Sequence, residues 1–219
     1  MSSVLVFGGT KGGVGKTSLA RATAVESVRK GVDVHCIDLN PKQRTLARWS
    51  EIRAANRRGL DFAVTVARNA AHAITLSQNS TADLIVIDAP GEVDAGTLKV
   101  AQHADLFVQV AGRSLDDLEP MINLFHELIQ QGITIDKLVA VAYKLDRDLA
   151  AARSDHAQIK DYVQQAGFAI LDSFVRELRS ARTNHNLGLA ITEASHVGPR
   201  IEAQTVVNDL ISLLVSKTQ

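Results

Sequence analysis

Residues 8 to 17 read Gly-Gly-Thr-Lys-Gly-Gly-Val-Gly-Lys-Thr, directly after the apolar run Val4 to Phe7 and directly before a helix-patterned segment that ends at Gly31. Strand, glycine-rich loop, Lys-Thr and helix in that order is the context that a phosphate-binding loop requires. The glycines let the backbone curl so that successive N–H groups converge on phosphate oxygens, and the dipole of the following helix favours negative charge at its start. On this reading Gly12, Gly13, Val14, Gly15, Lys16, Thr17 and Ser18 contact phosphate, Lys16 meets the β- and γ-phosphates, and the Thr17 hydroxyl serves a magnesium ion. The plainer alternative, a glycine-rich turn with a solvated lysine, does not account for the order of the elements. One departure stands out: Thr10 occupies the place where the common pattern has glycine, and Lys11 follows it.

Outward from this loop, short runs rich in Val, Ile and Leu recur between longer helix-patterned segments. The runs are Val4 to Phe7, Val32 to Ile37, Phe62 to Val66, Leu84 to Ile87, Leu106 to Val110, Leu138 to Tyr143 and Ala169 to Val175. Continuous apolar runs of this length are strands buried on both faces, as in a parallel sheet covered by helices. Helices open at Ser114 and near Ala150, and Gly31, Gly132 and Gly167 close the intervening segments. No repeat, low-complexity segment or linker divides the chain. The expected architecture is one doubly wound α/β domain over residues 1–219, with a mostly parallel sheet and helices on both faces.

With 46% hydrophobic residues, the 219-residue chain can bury one substantial core. The 24 basic and 24 acidic side chains cancel, so a nucleic acid or anionic surface has to be met by a local patch. A single cysteine, Cys36, lies in an apolar run and reads as a buried, inert thiol. The absence of a leader-like start or of about 18 consecutive apolar residues makes a cytoplasmic protein, associated with the nucleoid where it meets DNA, the expectation.

The run Leu84-Ile-Val-Ile-Asp88 places an aspartate at a strand end beside the phosphate loop, where it can hold magnesium, usually through water. Ala89-Pro90-Gly91 follows, as after a Walker B strand. Lys11-Gly-Gly-Val-Gly-Lys-Thr17 resembles the deviant Walker A motif of the ParA/MinD family, in which the first lysine is the signature residue. The resemblance implies an ATPase that uses ATP and Mg2+ and forms a homodimer in its ATP state, with Lys11 of one subunit reaching the phosphates held by the other, much as an arginine finger does. It also places Asp38-Leu39-Asn40-Pro41-Lys42-Gln43 at the first switch. Asp38 there joins Thr17 and Asp88 as a magnesium ligand, and Asn40 stands where the family has a carboxylate that orients the attacking water. Lys42 reads as a one-residue insertion. An amide can hold a water but cannot accept its proton, so slow hydrolysis is expected. Lys11, Lys16, Asp38 and Asn40 are thus the catalytic set.

Ala104-Asp105 and Ser114 with Asp117 also resemble family motifs, yet an ordinary strand and capping box account for them equally well, and they receive no catalytic role. Tyr143 stands where relatives often carry an adenine-binding Asn, which leaves base recognition to other groups, with backbone near Phe174 to Glu177 the candidate.

Relatives that cycle on membranes end in an amphipathic helix with a basic face. The tail from Ile201 to Gln219 is apolar at Ile201, Val206, Val207, Leu210, Ile211 and Leu214 but has only Lys217 as a base near its end, so a core-packed helix and no membrane partner are expected. Paired cysteines of the electron-donating relatives are missing. The chain starts at its phosphate loop and resembles the short ParA type, with Trp49 at a place where that group has Trp, although a large aromatic on a helix is usually core. This implies nonspecific double-stranded DNA as a partner and partition of plasmid or chromosomal DNA with a ParB-like adaptor. The alternative is a positioning or conjugation-accessory ATPase acting on a protein cargo or a DNA-processing complex. Arg176, Arg179 and Arg182, at three-residue spacing, would share one face if helical, and the resemblance tips them toward DNA. A second basic concentration runs from Lys42 through Arg44, Arg48, Arg53, Arg57 and Arg58, for which a solvated face explains as much.

Overall fold

Strand residues alternate their side chains between two faces, and here both faces are buried, which is why the strands read as unbroken apolar runs. Val4, Val6, Ile85 and Ile87 point into one hydrophobic cluster; Leu5, Phe7, Leu84 and Val86 point into another. In the computed structural model, which describes residues 2–59, 61–92 and 94–218, these runs become β1 (Ser3–Gly8), β2 (Val34–Asp38), β3 (Ala63–Val66), β4 (Leu84–Asp88), β5 (Leu106–Ala111), β6 (Leu138–Leu145), β7 (Ala169–Ile170) and β8 (Val175–Arg176). They pair in parallel in the order 3-2-4-1-5-6-7, with β8 on the far end of β6.

Helices α3 (Ala70–Gln78), α4 (Ala95–His103), α5 (Leu115–Gln130) and α6 (Leu149–Gln165) cover the first face. The other face is covered by α1 (Lys16–Arg29), α2 (Thr45–Ala55) and α8 (Val197–Thr218), while α7 (Ala181–Asn186) docks on α2. The doubly wound α/β reading therefore holds. The run from Ala169 to Val175 was expected as one strand; polar Asp172 and Ser173 interrupt it, and β7 and β8 pair with different stretches of β6.

The tail is a core helix, with Ala203, Val206, Val207, Leu210 and Leu214 buried, though Ile201 faces solvent and Gln219 lies outside the described residues. No helix among the described residues is long and apolar enough to cross a membrane. Trp49 is core, as its size suggested, and two guanidinium groups lie over its ring, Arg21 at 5.2 Å and Arg53 at 5.5 Å from the ring centre. Arg53, read from sequence as part of a basic concentration, is instead buried in a bidentate pair with Glu193, at 2.7 and 3.0 Å. Removing one partner of such a buried pair costs about 3–5 kcal/mol, because the other charge is left uncompensated. Cys36 is fully buried and its thiol is pushed well above the usual range by burial, in keeping with an inert side chain.

Strand order reverses on either side of β1, since β4 lies on one flank and β5 on the other. Ligands of open α/β sheets bind at the carboxyl ends of strands at such a point. Register places Phe7 beside Asp88 and Asp88 beside Asp38, so the end of the phosphate-loop strand and two carboxylates share one edge.

Candidate nucleotide site

The loop from Gly9 to Gly15 runs from β1 into α1, and its glycines are needed for shape. Gly15 has φ 127°, and a Cβ there would lie 2.2 Å from the Tyr143 ring. Tyr143 is buried against the loop and hydrogen bonded to Ser18, and burial pushes its phenol up to about 12. The next residue, Lys144, adopts φ 61° and donates from Nζ to the Gly13 carbonyl at 2.6 Å, clamping the loop from above.

Lys16, Thr17, Ser18, Asp38, Asn40 and Asp88 line one cleft of about 290 Å3, as their assigned roles require. Lys16 is buried, and its ammonium donates to the Lys11 carbonyl at 2.7 Å. Burial pulls its pKa below the usual lysine range, and the charge of Asp88 opposes that shift. Asp88 accepts from the Thr17 hydroxyl at 2.6 Å through Oδ2, while its Oδ1 is buried with no partner among the described residues. Burial pushes this carboxyl up to about 7; the Thr17 hydrogen bond and the charges of Arg21 and Lys16 pull it down, and Asp38 adds to the rise. A desolvated carboxylate with an orphan oxygen beside a threonine hydroxyl fits magnesium, which takes few protein ligands and completes its shell with phosphate and water. Consistent with so sparse a donor set, no cluster of three His, Cys, Asp or Glu side chains among the described residues could hold a metal alone.

Asp38 makes contacts that the sequence did not reveal. Its Oδ2 accepts from the Leu46 and Ala47 amides at 2.9 and 3.1 Å and its Oδ1 from the Asn40 amide at 3.0 Å. It thus satisfies orphan N–H groups at the start of α2 and fixes the first switch against the sheet. Asn40 lines the cleft, and its side-chain oxygen accepts from the Gln43 amide at 3.1 Å, holding the turn that contains the extra Lys42.

Lys11 does not reach into its own cleft. Its side chain is 54% exposed and its ammonium meets Asp117 at 2.5 Å. Asp117 also accepts from the Ser114 hydroxyl at 2.9 Å, so Ser114 makes no side-chain cap to α5, and the capping-box reading gives way to a tether for the signature lysine. This pairing raises the Lys11 pKa and contributes to lowering that of Asp117.

A model of the family described as ATPase MipZ matches residues 3–124, more than half of the chain. The chain belongs to the MipZ ATPase family. With it the chain joins the ParA/MinD class of P-loop ATPases. Among solved structures, the fold of this MipZ-family chain is similar to the MinD cell division protein of Aquifex aeolicus, with TM-score 0.78, 16% identity and coverage of 96% of this chain and 97% of that one. It is also similar to MinD of Pyrococcus horikoshii complexed with Mg-ADP (TM-score 0.71, 15% identity, 98% and 99% covered). A ParA family ATPase of Chlorobium tepidum is a third (TM-score 0.72, 15% identity, 95% and 98% covered). At these identities the likeness establishes the fold. No curated protein matches the sequence significantly.

Two expectations for the MipZ-family chain need correction. Arg176, Arg179 and Arg182 do not share a helix face: Arg176 is in β8, paired with Glu202 at 2.7 Å, Arg179 is in a turn, and only Arg182 is on α7. Val175 and Arg176 pair with Tyr143 and Leu145 of β6, which holds the chain extended there and excludes a helix that would carry all three arginines. The segment Phe174 to Glu177 does not line the cleft among its described residues; Phe174 packs on His156 instead, with ring centres 4.9 Å apart. Sequence reading also missed Arg21, Lys144 and His185, which line the same cleft. Arg21 was findable, lying four residues past Thr17 on the same helix face; His185 carried no local signal.

Proposed function

We propose that this chain is a magnesium-dependent ATPase that dimerises in its ATP state, binds duplex DNA without sequence preference, and partitions plasmid or chromosomal DNA with an adaptor protein. The observation that carries the reading is the disposition of Lys11. It sits in the signature position, outside its own cleft and exposed at the rim, where a second subunit's phosphates can be reached. Thr17 and Asp88 hold magnesium, with Asp38 supporting them and setting the switch. The ion supplies neutralisation of the charge that builds on the phosphate oxygens. Lys16 binds the β- and γ-phosphates, the loop amides cradle them, and the Asn40 amide orients the attacking water. Without a carboxylate at that place, turnover is slow.

Arg179 and Arg182 remain exposed and form the core of the DNA surface; Arg176, tied to Glu202, is withdrawn from it. Asn56 and Arg58 at the end of α2 donate to the Leu187 carbonyl at 3.2 and 3.1 Å, so exposed Arg57 and Arg58 lie beside α7. Phosphate contacts from such a patch make binding salt-dependent and sequence-tolerant. The cell-division naming of the MinD structures favours, as a second reading, a positioning ATPase with a protein cargo.

Light scattering with ADP and with a nonhydrolysable ATP analogue tests the central claim. The analogue should yield a dimer in the wild type and not in Lys11→Ala, whose melting curve should be unchanged. Monomers in both nucleotides would overturn the reading.

A further inference from the structure

Thr17, Asp38 and Asp88 gather where magnesium and the terminal phosphates fit, and Ser18 and then Arg21 follow Thr17 along α1. Lys144 and His185 line the same cleft, and His185 lies within reach of the charges of Arg21 and Lys144.

Two of those three side chains are already committed. Arg21 donates to the Thr45 carbonyl at 2.7 Å and stacks on Trp49, and Lys144 is bonded to the Gly13 carbonyl. His185 is half-buried, and its ring has no hydrogen-bond partner among the described residues. It carries the only aromatic ring among the described residues that line the cleft. Burial, together with the charges of Arg21 and Lys144, lowers its pKa to about 4, so at neutral pH it is an uncharged ring and a poor phosphate ligand. A flat, uncharged aromatic side chain in a nucleotide cleft suits a purine.

We propose that His185 is the base-contacting residue of the nucleotide site, with adenine packing against its imidazole between Arg21 and Lys144. The proposal rests on the nucleotide reading of the cleft. It gives this chain a means of holding the base in place of the Asn that Tyr143 displaces.

Calorimetric titration of wild type, His185→Ala and His185→Phe with ATP and with inorganic tripolyphosphate, each with magnesium, tests it. Stacking of a base on an aromatic side chain corresponds to about a five- to 150-fold change on alanine substitution. His185→Ala should lose ATP affinity in that range and keep its tripolyphosphate affinity, and His185→Phe should bind ATP nearly as the wild type does. If wild type binds ATP and His185→Ala binds it equally well, the proposal is overturned and the nucleotide reading stands. Equal losses for both ligands would also overturn it, by showing a displaced loop instead of a lost base contact. A wild type that binds neither ligand would overturn the nucleotide reading itself.

Discussion

Gly91→Ala adds one methyl group at the point where the loop after β4 leans on the phosphate loop. The new Cβ would lie 2.6 Å from the Gly12 amide nitrogen and 2.8 Å from both the Gly12 Cα and the Lys11 carbonyl carbon. Gly91 is not in the left-handed region, so alanine has no conformational objection to the site, and the conflict is purely steric. All three contacts are backbone, so no flexible side chain can move aside. Relief to an ordinary contact of about 3.4 Å requires the two loops to separate by about 0.8 Å. Overpacking of this kind costs about 1–3 kcal/mol when the structure absorbs it. The catalytic penalty is larger, since a misplacement of about 1 Å costs about 10²-fold in rate. Single-turnover hydrolysis by Gly91→Ala should fall about 30- to 100-fold, while ATP affinity, which depends on the loop amides and Lys16, falls less. The expected signature is a rate loss greater than the loss in thermal stability. Wild-type turnover with an unchanged melting curve would refute the packing of these loops as the element that sets catalytic geometry.

Asn40→Asp keeps the oxygen that accepts from the Gln43 amide, so the switch turn should survive, and single-turnover hydrolysis should rise about tenfold, less than the roughly 10²-fold of a fully placed base because Asp38 lies next to it; similar rates in wild type, Asn40→Asp and Asn40→Ala would show that the residue takes no part in the chemical step. Asp117→Ala releases Lys11 without touching the core, so the ATP-state dimer should form at lower protein concentration by light scattering; a weaker dimer would mean that Asp117 positions the lysine for the partner instead of restraining it. The pKa of His185 is depressed from 6.5 to about 4, so the stability gained by keeping it neutral is fully present above about pH 6.5 and is lost as pH falls toward 4. Without nucleotide, the stability of wild type relative to His185→Phe should therefore decline between pH 6.5 and 4.5 in chemical denaturation, and a pH-independent difference would contradict a buried neutral histidine.

The sequence by itself determined the phosphate loop, the strand-end position of Asp88 and the parallel doubly wound sheet. Each depends on neighbours along the chain: a glycine-rich turn between strand and helix, or a run apolar on both faces, reads the same wherever it lies in space. The final helix was legible for the same reason, since Val206, Val207, Leu210 and Leu214 declare a buried face. What only the tertiary structure decided are pairings across distant segments. Lys11 meets Asp117, 106 residues away, and Lys144 reaches Gly13 across 131. Arg53, a surface base in sequence, is neutralised by Glu193 at a separation of 140. The arginines near position 180 had a helical spacing but not a helix, because Val175 and Arg176 pair with β6 and keep the chain extended. His185 went unread because a lone histidine acquires its character only from what folds around it. Burial and two cations from distant elements make His185 a neutral ring, and neither leaves a trace in the residues beside it.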